Sequence, residues 1–173
     1  VDENCVNLDL IEQLVTHIAE DYEEGAILVF LPGMGEIKAL HDRLRASLYE
    51  SEHRAPSSVR TEDDDDDDKK KNAPPRYLLV PLHSTLTAEE QKRAFSKPAP
   101  GVRKVVMSTN IAETSITIDD CVYVIDAGKV RETRFNAKTR TSSLETAWVS
   151  RASAKQRRGR AGRVKPGYCF HLY

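Results

Sequence analysis

The apolar residues of this 173-residue chain fall into helical repeats separated by short continuous runs. From Leu8 to Ile18 they recur at i, i+3 and i+4, which predicts an amphipathic helix capped by Asn7 or Asp9. Residues 26–31 are apolar without alternation, as expected for a central parallel strand that is covered on both faces. A second helical repeat predicts a helix over about residues 35–49.

Four further apolar runs predict strands, at residues 77–82, 104–108, 122–125 and 168–173. Residues 88–95 form a short predicted helix between the first two of these runs. Strands that alternate with helices imply right-handed crossovers, so the predicted fold is α/β, with a mostly parallel sheet flanked by helices. Residues 131–135 and 142–149 predict a β-hairpin appended to that sheet.

One segment, residues 51–75, contains six consecutive aspartates, three lysines and two adjacent prolines. It has too little apolar surface to offset the entropy of ordering it, so we expect a disordered acidic insertion at the surface. Binding of a cation or of a protein partner is the alternative role for this segment. The chain as a whole, residues 1–173, is expected to form one domain.

Charge is distributed unevenly along the chain, although the net charge is only −1. Residues 62–71 contain seven acidic residues and three lysines, and without them the net charge becomes +3. Residues 129–165 contain twelve lysines or arginines against two glutamates. Such a local excess of positive charge suits an anionic partner, and phosphate is the usual one.

The composition disfavours membrane and secreted proteins. No stretch reaches the roughly 18 apolar residues that would span a bilayer, and the N-terminus has no signal-peptide pattern. We therefore expect an intracellular protein, nuclear or cytoplasmic, with no membrane partner. Cys5, Cys121 and Cys169 are too scattered for a disulfide framework or a zinc site, so reduced thiols and no bound metal are expected.

The segment of residues 156–163 reads QRRGRAGR and places Gln156, Arg160 and Arg163 at spacings of four and three. A helix would align these three side chains on one face, and the two glycines would clear space for the approach of another surface. Arginine suits phosphate because its planar guanidinium bonds two oxygens at once and keeps its charge. Gln156 could hold a water molecule or a γ-phosphate oxygen.

Arg157 and Arg158 fall off that predicted helix face, so we expect them to supply attraction to RNA or solubility. For the whole segment, the alternative is a solvated basic helix that touches an RNA backbone. A simple basic patch, however, gives no reason for two glycines that weaken a helix.

Residues 109–119, TNIAETSITID, directly follow a predicted buried strand. At the carboxyl edge of a parallel sheet, hydroxyls and free backbone N–H groups are well placed to bind phosphates, and Asp119 could accept hydrogen bonds from ribose. The alternative is a polar loop whose side chains only cap local structure. The chain contains no GxxxxGK[ST] and no Asp-Glu-x-His sequence, so the arginines imply a nucleotide site completed by another domain.

Four segments together resemble the second RecA-like domain of DEAH-box RNA helicases. They are ILVFLPG at residues 27–33, PLHSTL at 81–86, STNIAETSITID at 108–119 and QRRGRAGR at 156–163. Their order and separation match over nearly the whole chain. PLHSTL and the sequence of residues 142–163 are more similar to the RNA helicase A branch than to the splicing-factor branch. The resemblance implies a three-layer RecA-like fold.

The resemblance also implies roles at a bound nucleotide. It assigns catalysis to Gln156, Arg160 and Arg163, and nucleotide binding to Thr117, Asp119 and Phe95. Arg160 and Arg163 would be arginine fingers that stabilise charge on the transferring γ-phosphoryl group. Thr117 and Asp119 would contact the ribose, and Phe95 would stack on the base. For Phe95, an apolar helix face shared with Ala88 is the alternative.

Contacts to the RNA backbone are implied for Ser84, Thr109, Asn110, Lys138 and Arg140. The hairpin of residues 131–149 corresponds to the element that lies against the strand and helps to split duplexes. Contacts to the backbone position a strand without reading its sequence, as a translocating motor requires. His83 is expected to be structural.

On this resemblance the parent protein is an ATP-dependent RNA helicase. ATP or another NTP, with Mg²⁺, would be held mainly by a first RecA-like domain, which is absent from this chain together with the auxiliary domains. Nucleotide binding would close the two domains and hydrolysis would reopen them, so this chain by itself is expected to be inactive. The alternatives are a non-catalytic RNA-binding or protein-binding adaptor and a DNA helicase.

Overall fold

The computed structural model describes residues 5–53, 77–137, 140–163 and 165–173 of the chain. Most of the predicted acidic insertion and the predicted RNA contact Lys138 lie outside these described residues. The first three residues of the predicted insertion, 51–53, belong to a helix.

The elements follow the predicted order. The helices are α1 (Leu8–Asp21), α2 (Met34–His53), α3 (Ala88–Phe95), α4 (Ile111–Thr114) and α5 (Arg151–Arg158). The strands are β1 (Ala26–Phe30), β2 (Tyr77–Leu82), β3 (Arg103–Ser108), β4 (Cys121–Asp126), β5 (Lys129–Asn136), β6 (Thr141–Trp148) and β7 (Tyr168–His171). The hydrophobic pattern predicted neither α4 nor α5; for α5, a helix was considered only over residues 156–163, from the spacing of the polar side chains.

A five-stranded parallel sheet with the order β2-β3-β1-β4-β7 forms the centre of the described structure. Its strands all end at one edge, which we term the carboxyl edge, after Leu82, Ser108 and Asp126. They begin at the opposite, amino edge, at Arg103 and Cys121 among others. β5 and β6 pair antiparallel as the predicted hairpin, beside the main sheet.

Helices cover both faces of the sheet. One face carries α1 and α2, whose fully buried residues are Ile11, Val15, Ile18, Ile37, Leu40 and Leu44. The other face carries α3, α4 and the segment that leads to β4, with Ala94, Ala112, Ile116 and Ile118 buried. The predicted three-layer α/β fold is therefore confirmed.

Two of the helices begin with side-chain caps that the sequence supplies locally. The side chain of Asn7 accepts the N–H of Leu10 at 3.0 Å and caps α1. Thr87 and Glu90 form a reciprocal capping box at the start of α3. Hydrogen bonds from the backbone N–H and the hydroxyl of Thr87 lower the pKa of the Glu90 carboxyl group.

β2 forms one edge of the sheet within the described part of the chain, and it contains a proline. The carbonyl of Leu82 accepts a hydrogen bond from Thr109, which follows the neighbouring strand. Because backbone groups alternate in direction along a strand, Pro81 faces the outer side. Its missing N–H therefore costs no hydrogen bond of the ladder.

The three cysteines are free thiols, as predicted. Burial raises the pKa of Cys121 to about 12, so this thiol remains protonated. None of the helices that the structure describes is both long enough and apolar enough to cross a bilayer.

Candidate functional site

The segment of residues 109–119 runs from the carboxyl edge of the sheet to its amino edge. Thr109 follows β3 directly, and its backbone N–H donates to the carbonyl of Leu82 at 3.4 Å. Asp119 immediately precedes the turn residue before β4, at the opposite edge. The prediction that this segment binds at the carboxyl edge is therefore wrong for Asp119. A parallel crossover must return the chain to the amino edge before the next strand, and Thr117 lies on that return.

The carboxyl edge brings together three of the predicted RNA contacts. Ser84 follows β2 and Asn110 follows β3, and both residues are exposed. Thr109 is only 7% exposed, so it offers little surface to a ligand. Arg140 is exposed at the end of the hairpin, whereas Lys138 lies outside the described residues.

His83 stabilises the turn that follows β2. Its Nδ1 atom lies 2.9 Å from the hydroxyl of Thr85 and accepts the backbone N–H of the same residue at 3.2 Å. Its carbonyl accepts the N–H of Leu86 at 3.1 Å. These local contacts agree with the structural role expected for this histidine.

The arginine-rich segment is helical only in its first part. α5 ends at Arg158, so Gln156 lies on the helix whereas Arg160 and Arg163 lie beyond it. The prediction of one helical face for the three side chains is therefore wrong. Gln156 and Arg163 are exposed, and Arg160 is half-buried.

The glycines of this segment allow the chain to pack closely against itself. Gly162 has a φ of +78°, and its N–H donates to the carbonyl of Cys121 at 3.3 Å. A Cβ atom on Gly167 would lie 2.4 Å from the nitrogen of Gly162. At Gly162, the space that was predicted to admit another surface is thus filled by this chain. The contact also places Arg163, the next residue, at the amino edge of β4.

Arg160 lies against the backbone around α4. Its guanidinium donates to the carbonyl oxygens of Glu113 and Ile116, the latter at 3.5 Å. Burial lowers the pKa of Arg160, and the positive charge of Arg163 lowers it further, while the charge of Glu113 acts in the opposite direction. The two predicted arginine fingers therefore lie near each other. Arg160 is hydrogen-bonded to backbone carbonyls, whereas Arg163 is exposed.

Arg157 is completely buried, which contradicts the prediction that it supplies attraction to RNA or solubility. Its Nε atom donates to Glu113 at 2.8 Å and one Nη atom donates to Asp126 at 2.7 Å. The guanidinium also lies 4.9 Å from the centre of the Phe30 ring. We term Arg157, Glu113 and Asp126 the arginine cluster. Two buried carboxylates offset the cost of burying the cation, and the adjacent Arg158 is exposed.

Asp126 connects the arginine cluster to the start of the hairpin. It accepts the N–H of Gly128 at 2.9 Å through Oδ1 and the hydroxyl of Tyr173 at 3.1 Å through Oδ2. Burial and the charge of Asp126 raise the pKa of Tyr173 to about 12, so the phenol remains a donor. Gly128 has a φ of +74°, and a Cβ atom there would lie 2.3 Å from the Tyr173 ring. This turn therefore requires glycine.

Two further contacts hold the hairpin where it leaves the sheet. Lys129 is 5% exposed, and its Nζ atom lies 3.2 Å from the centre of the Trp148 ring on the paired strand. Arg131 pairs with Glu36 of α2 at 2.9 Å. The first contact lies within the hairpin, and the second fixes the hairpin to α2.

Phe95 is the last residue of α3 and is 49% exposed. Ala94 is buried, whereas Ala88 is exposed, so Phe95 and Ala88 do not complete a buried helix face. Phe95 is therefore accessible from solvent.

Lys104 of β3 joins the end of α3 to the turn before β4. Its side chain is completely buried, and its Nζ atom pairs with Asp120 at 2.7 Å. Asp119, the neighbour of Asp120, is exposed and lines a cavity of about 840 Å³ at the amino edge. The amino edge therefore holds the predicted ribose contact beside the helix end that carries Phe95.

The two edges carry different chemistry. The amino edge presents an aromatic ring, a carboxylate and arginines, which suit the base, ribose and phosphates of a nucleotide. The carboxyl edge presents a hydroxyl and an amide, which suit a sugar-phosphate backbone. The described residues contain no group of three or more His, Cys, Asp or Glu side chains that could hold a metal ion.

Comparison with known proteins places this chain among helicase domains. Residues 8–165 match the model of the helicase conserved C-terminal domain. The chain is 48% identical, over its full length, to the ATP-dependent DNA/RNA helicase DHX36 of Rattus norvegicus, of which it spans 15%. It is 51% identical over 97% of its length to the chloroplastic DExH-box ATP-dependent RNA helicase DExH4 of Arabidopsis thaliana, of which it spans 10%.

A solved structure has the same fold. The E. coli DExH-box NTPase HrpB superposes with a TM-score of 0.75 at 34% sequence identity. The match covers 99% of this chain and 18% of that protein. The sheet whose amino and carboxyl edges are described above therefore resembles part of a known DExH-box NTPase.

Proposed function

This chain belongs to the family of helicase conserved C-terminal domains, and from that membership we propose that it is the second motor domain of an ATP-dependent RNA helicase. The two relatives compared above are named as ATP-dependent helicases, and the similar solved structure is named as a DExH-box NTPase. The amino edge would complete an NTP site, and the carboxyl edge would grip the RNA backbone.

One observation carries this proposal: Phe95, Asp119 and Arg163, three of the predicted nucleotide residues, are tied to the same end of the sheet. The N–H of Gly162 bonds to Cys121, which places Arg163 beside the turn that contains Asp119. Lys104 ties the end of α3, and with it Phe95, to that same turn. A base, a ribose and a triphosphate could therefore bind side by side along the amino edge.

In this proposal Arg160 and Arg163 stabilise charge on the transferring γ-phosphoryl group, and Gln156 orients water or a phosphate oxygen. Thr117 and Asp119 contact the ribose, and Phe95 stacks on the base. Arg160 would exchange its bonds to the carbonyls of α4 for phosphate oxygens. The half-buried guanidinium is already partly desolvated, which strengthens such an interaction.

A first RecA-like domain of the same protein would hold the NTP and Mg²⁺. Magnesium is bound by carboxylates and phosphate oxygens, and the arginines of this chain would add positive charge to that site. The chain alone would then be inactive. Closure of the two domains on NTP and reopening after hydrolysis would move the RNA by a step.

At the carboxyl edge, Ser84, Thr109 and Asn110 would contact the RNA backbone, and Arg140 and Lys138 would contact phosphate at the end of the hairpin. Two segments connect this edge to the nucleotide edge. Residues 109–119 cross from one to the other, and so does α5 with the turn that follows it. Both would transmit closure of the NTP site to the RNA.

Replacement of one exposed arginine tests the proposal. In the full-length parent protein, Arg163→Ala should lower RNA-stimulated ATP turnover by about 10³-fold or more, because an arginine finger contributes about this much. Binding of single-stranded RNA, measured by fluorescence anisotropy, should remain within about twofold. Arg45→Ala, an exposed arginine on α2, is the matched control and should leave both values unchanged.

Unchanged turnover in Arg163→Ala would exclude the arginine-finger assignment. Absence of RNA-stimulated hydrolysis in the unmodified parent protein would instead favour the alternative of an RNA-binding or protein-binding adaptor.

A further inference from the structure

Lys104 occupies a central position at the amino edge, although it has no role in the proposed reaction. We propose that Lys104 is a positioning residue that fixes the base-stacking ring of Phe95 relative to the ribose-binding carboxylate of Asp119. This inference rests on the proposed nucleotide site. It adds the residue that sets the distance between the base-binding and ribose-binding side chains.

The ammonium group of Lys104 is buried and is held by contacts within this chain. Its Nζ atom donates to the carbonyl of Ala94 at 2.9 Å and to the carbonyl of Ser96 at 3.0 Å, and it pairs with Asp120 at 2.7 Å. Two of its three N–H donors are thus taken by carbonyls, and its charge is paired with Asp120. The side chain is also completely buried, so Lys104 does not itself touch the nucleotide.

The three acceptors flank the two predicted nucleotide contacts. Phe95 lies between Ala94 and Ser96 in sequence, at the end of α3, where helix carbonyls lack partners within the helix. Asp119 precedes Asp120 directly. One buried cation therefore restrains the backbone on both sides of the ring and the residue adjacent to the carboxylate.

Packing alone does not require a lysine at this position. A methionine of similar length would fill the same space without the cost of burying a charge. What the ammonium adds is direction, because its two hydrogen bonds and its ion pair with Asp120 set where the end of α3 lies relative to the turn before β4.

The arginines depend on other contacts. Arg160 is bonded to the carbonyls of Glu113 and Ile116, and the backbone beside Arg163 is bonded to Cys121. Loss of Lys104 should therefore disturb recognition of the base and the ribose while leaving recognition of the phosphates intact.

The experiment compares ATP with a ligand that has neither base nor ribose. In the full-length parent protein, Lys104→Met should raise the KM for ATP about tenfold, which corresponds to the loss of one base-stacking contact. The kcat should stay within about twofold, and the inhibition constant of inorganic tripolyphosphate should not change. Lys38→Met, an exposed lysine on α2, is the matched control and should behave as the unmodified protein.

Two conservative variants separate positioning from loss of folding. Lys104→Arg keeps the charge and several donors, and it should recover part of the affinity for ATP. Asp120→Asn removes the charge of one acceptor and keeps its shape, and it should raise the KM about threefold, less than Lys104→Met. If Lys104→Met does not fold, Asp120→Asn carries the test alone, and an unchanged KM then overturns the inference.

The outcomes also distinguish this inference from the proposed function. If Phe95→Ala and Asp119→Ala leave the KM for ATP unchanged, the assignment of the base and ribose sites is wrong. If those variants weaken ATP binding and Lys104→Met does not, only the positioning role is overturned. An equal loss of affinity for ATP and tripolyphosphate in Lys104→Met, or a fall in kcat without a change in KM, would also overturn it.

Discussion

Lys104 at the amino edge and Arg157 at the carboxyl edge are both completely buried cations, but their surroundings differ. Lys104 bonds to two carbonyls and to Asp120, whose side chain is 25% exposed. Arg157 pairs with Asp126, which is fully buried, and with Glu113, which is nearly so. One charged partner of the lysine, Asp120, can therefore turn towards water, whereas the two carboxylates around the arginine cannot.

This difference separates two uses of a buried charge. At the amino edge the cation fixes the distance between a helix end and a turn, and its loss leaves one carboxylate, Asp120, that water can reach. At the carboxyl edge the cation neutralises two carboxylates in a dry environment and connects α5 to the start of the hairpin. We therefore expect the arginine cluster to matter most for folding and Lys104 to matter most for ligand geometry.

The largest effect should follow removal of the buried arginine. Arg157→Met would leave Glu113 and Asp126 buried without a cation, which should lower the free energy of unfolding by about 3–5 kcal/mol. Urea denaturation of the 173-residue chain measures this change in the free energy of unfolding. Arg158→Met changes the adjacent, exposed residue of the same helix and should stay within about 0.5 kcal/mol. If Lys104→Met destabilises the chain as much as Arg157→Met, the contrast between the two cations does not hold.

A smaller effect is expected where the carboxyl edge meets the hairpin. Trp148→Ala removes the ring beside the nearly buried ammonium of Lys129 and should cost about 1–2 kcal/mol in the same assay. Leu144→Ala on the same strand is the control, because Leu144 is 65% exposed and should contribute little. If Trp148→Ala and Leu144→Ala lower the free energy of unfolding equally, the contact between the Lys129 ammonium and the Trp148 ring does not stabilise the fold.

The smallest effect concerns the start of α3, the helix whose end Lys104 holds. Thr87→Ala removes the capping box and should lower the melting temperature by about 2–4 °C at neutral pH. The folded-state pKa of Glu90 is lowered, so its contribution to stability is present above the ordinary pKa of 4.5 and is lost as the pH falls through the lowered value. The difference between Thr87→Ala and the unmodified chain should therefore shrink in acid. A difference that stays constant down to pH 2 would contradict the capping role of Glu90.

The strands and long helices were predictable because buried positions form a recognisable pattern of apolar residues along the sequence. The run of residues 26–31 has no polar interruption, and the strand observed there is buried throughout. Asn7 and Thr87 reveal helix starts because each caps a residue only three positions away. The short α4 was missed because its four residues lie within a polar segment that is also typical of a loop.

The arginine cluster was missed because its contacts are distant in sequence. Arg157 reaches Glu113 over 44 positions and Asp126 over 31, and a periodicity of three or four residues contains no information at that range. One signal was present: Asp126 ends an otherwise apolar strand, and an acid in such a place requires a partner. The roles assigned to Gln156, Arg160, Arg163, Thr117 and Asp119 remain predictions.

The proline in β2 has a consequence for how the molecule behaves at high concentration. An edge strand with free N–H and C=O groups is a template on which a second chain can add a strand, the first step towards aggregation. Pro81 removes a donor from the outward side of this strand, within the part of the chain that the structure describes. A strand added there would lack one backbone hydrogen bond to β2, which disfavours self-association of the central sheet through this edge.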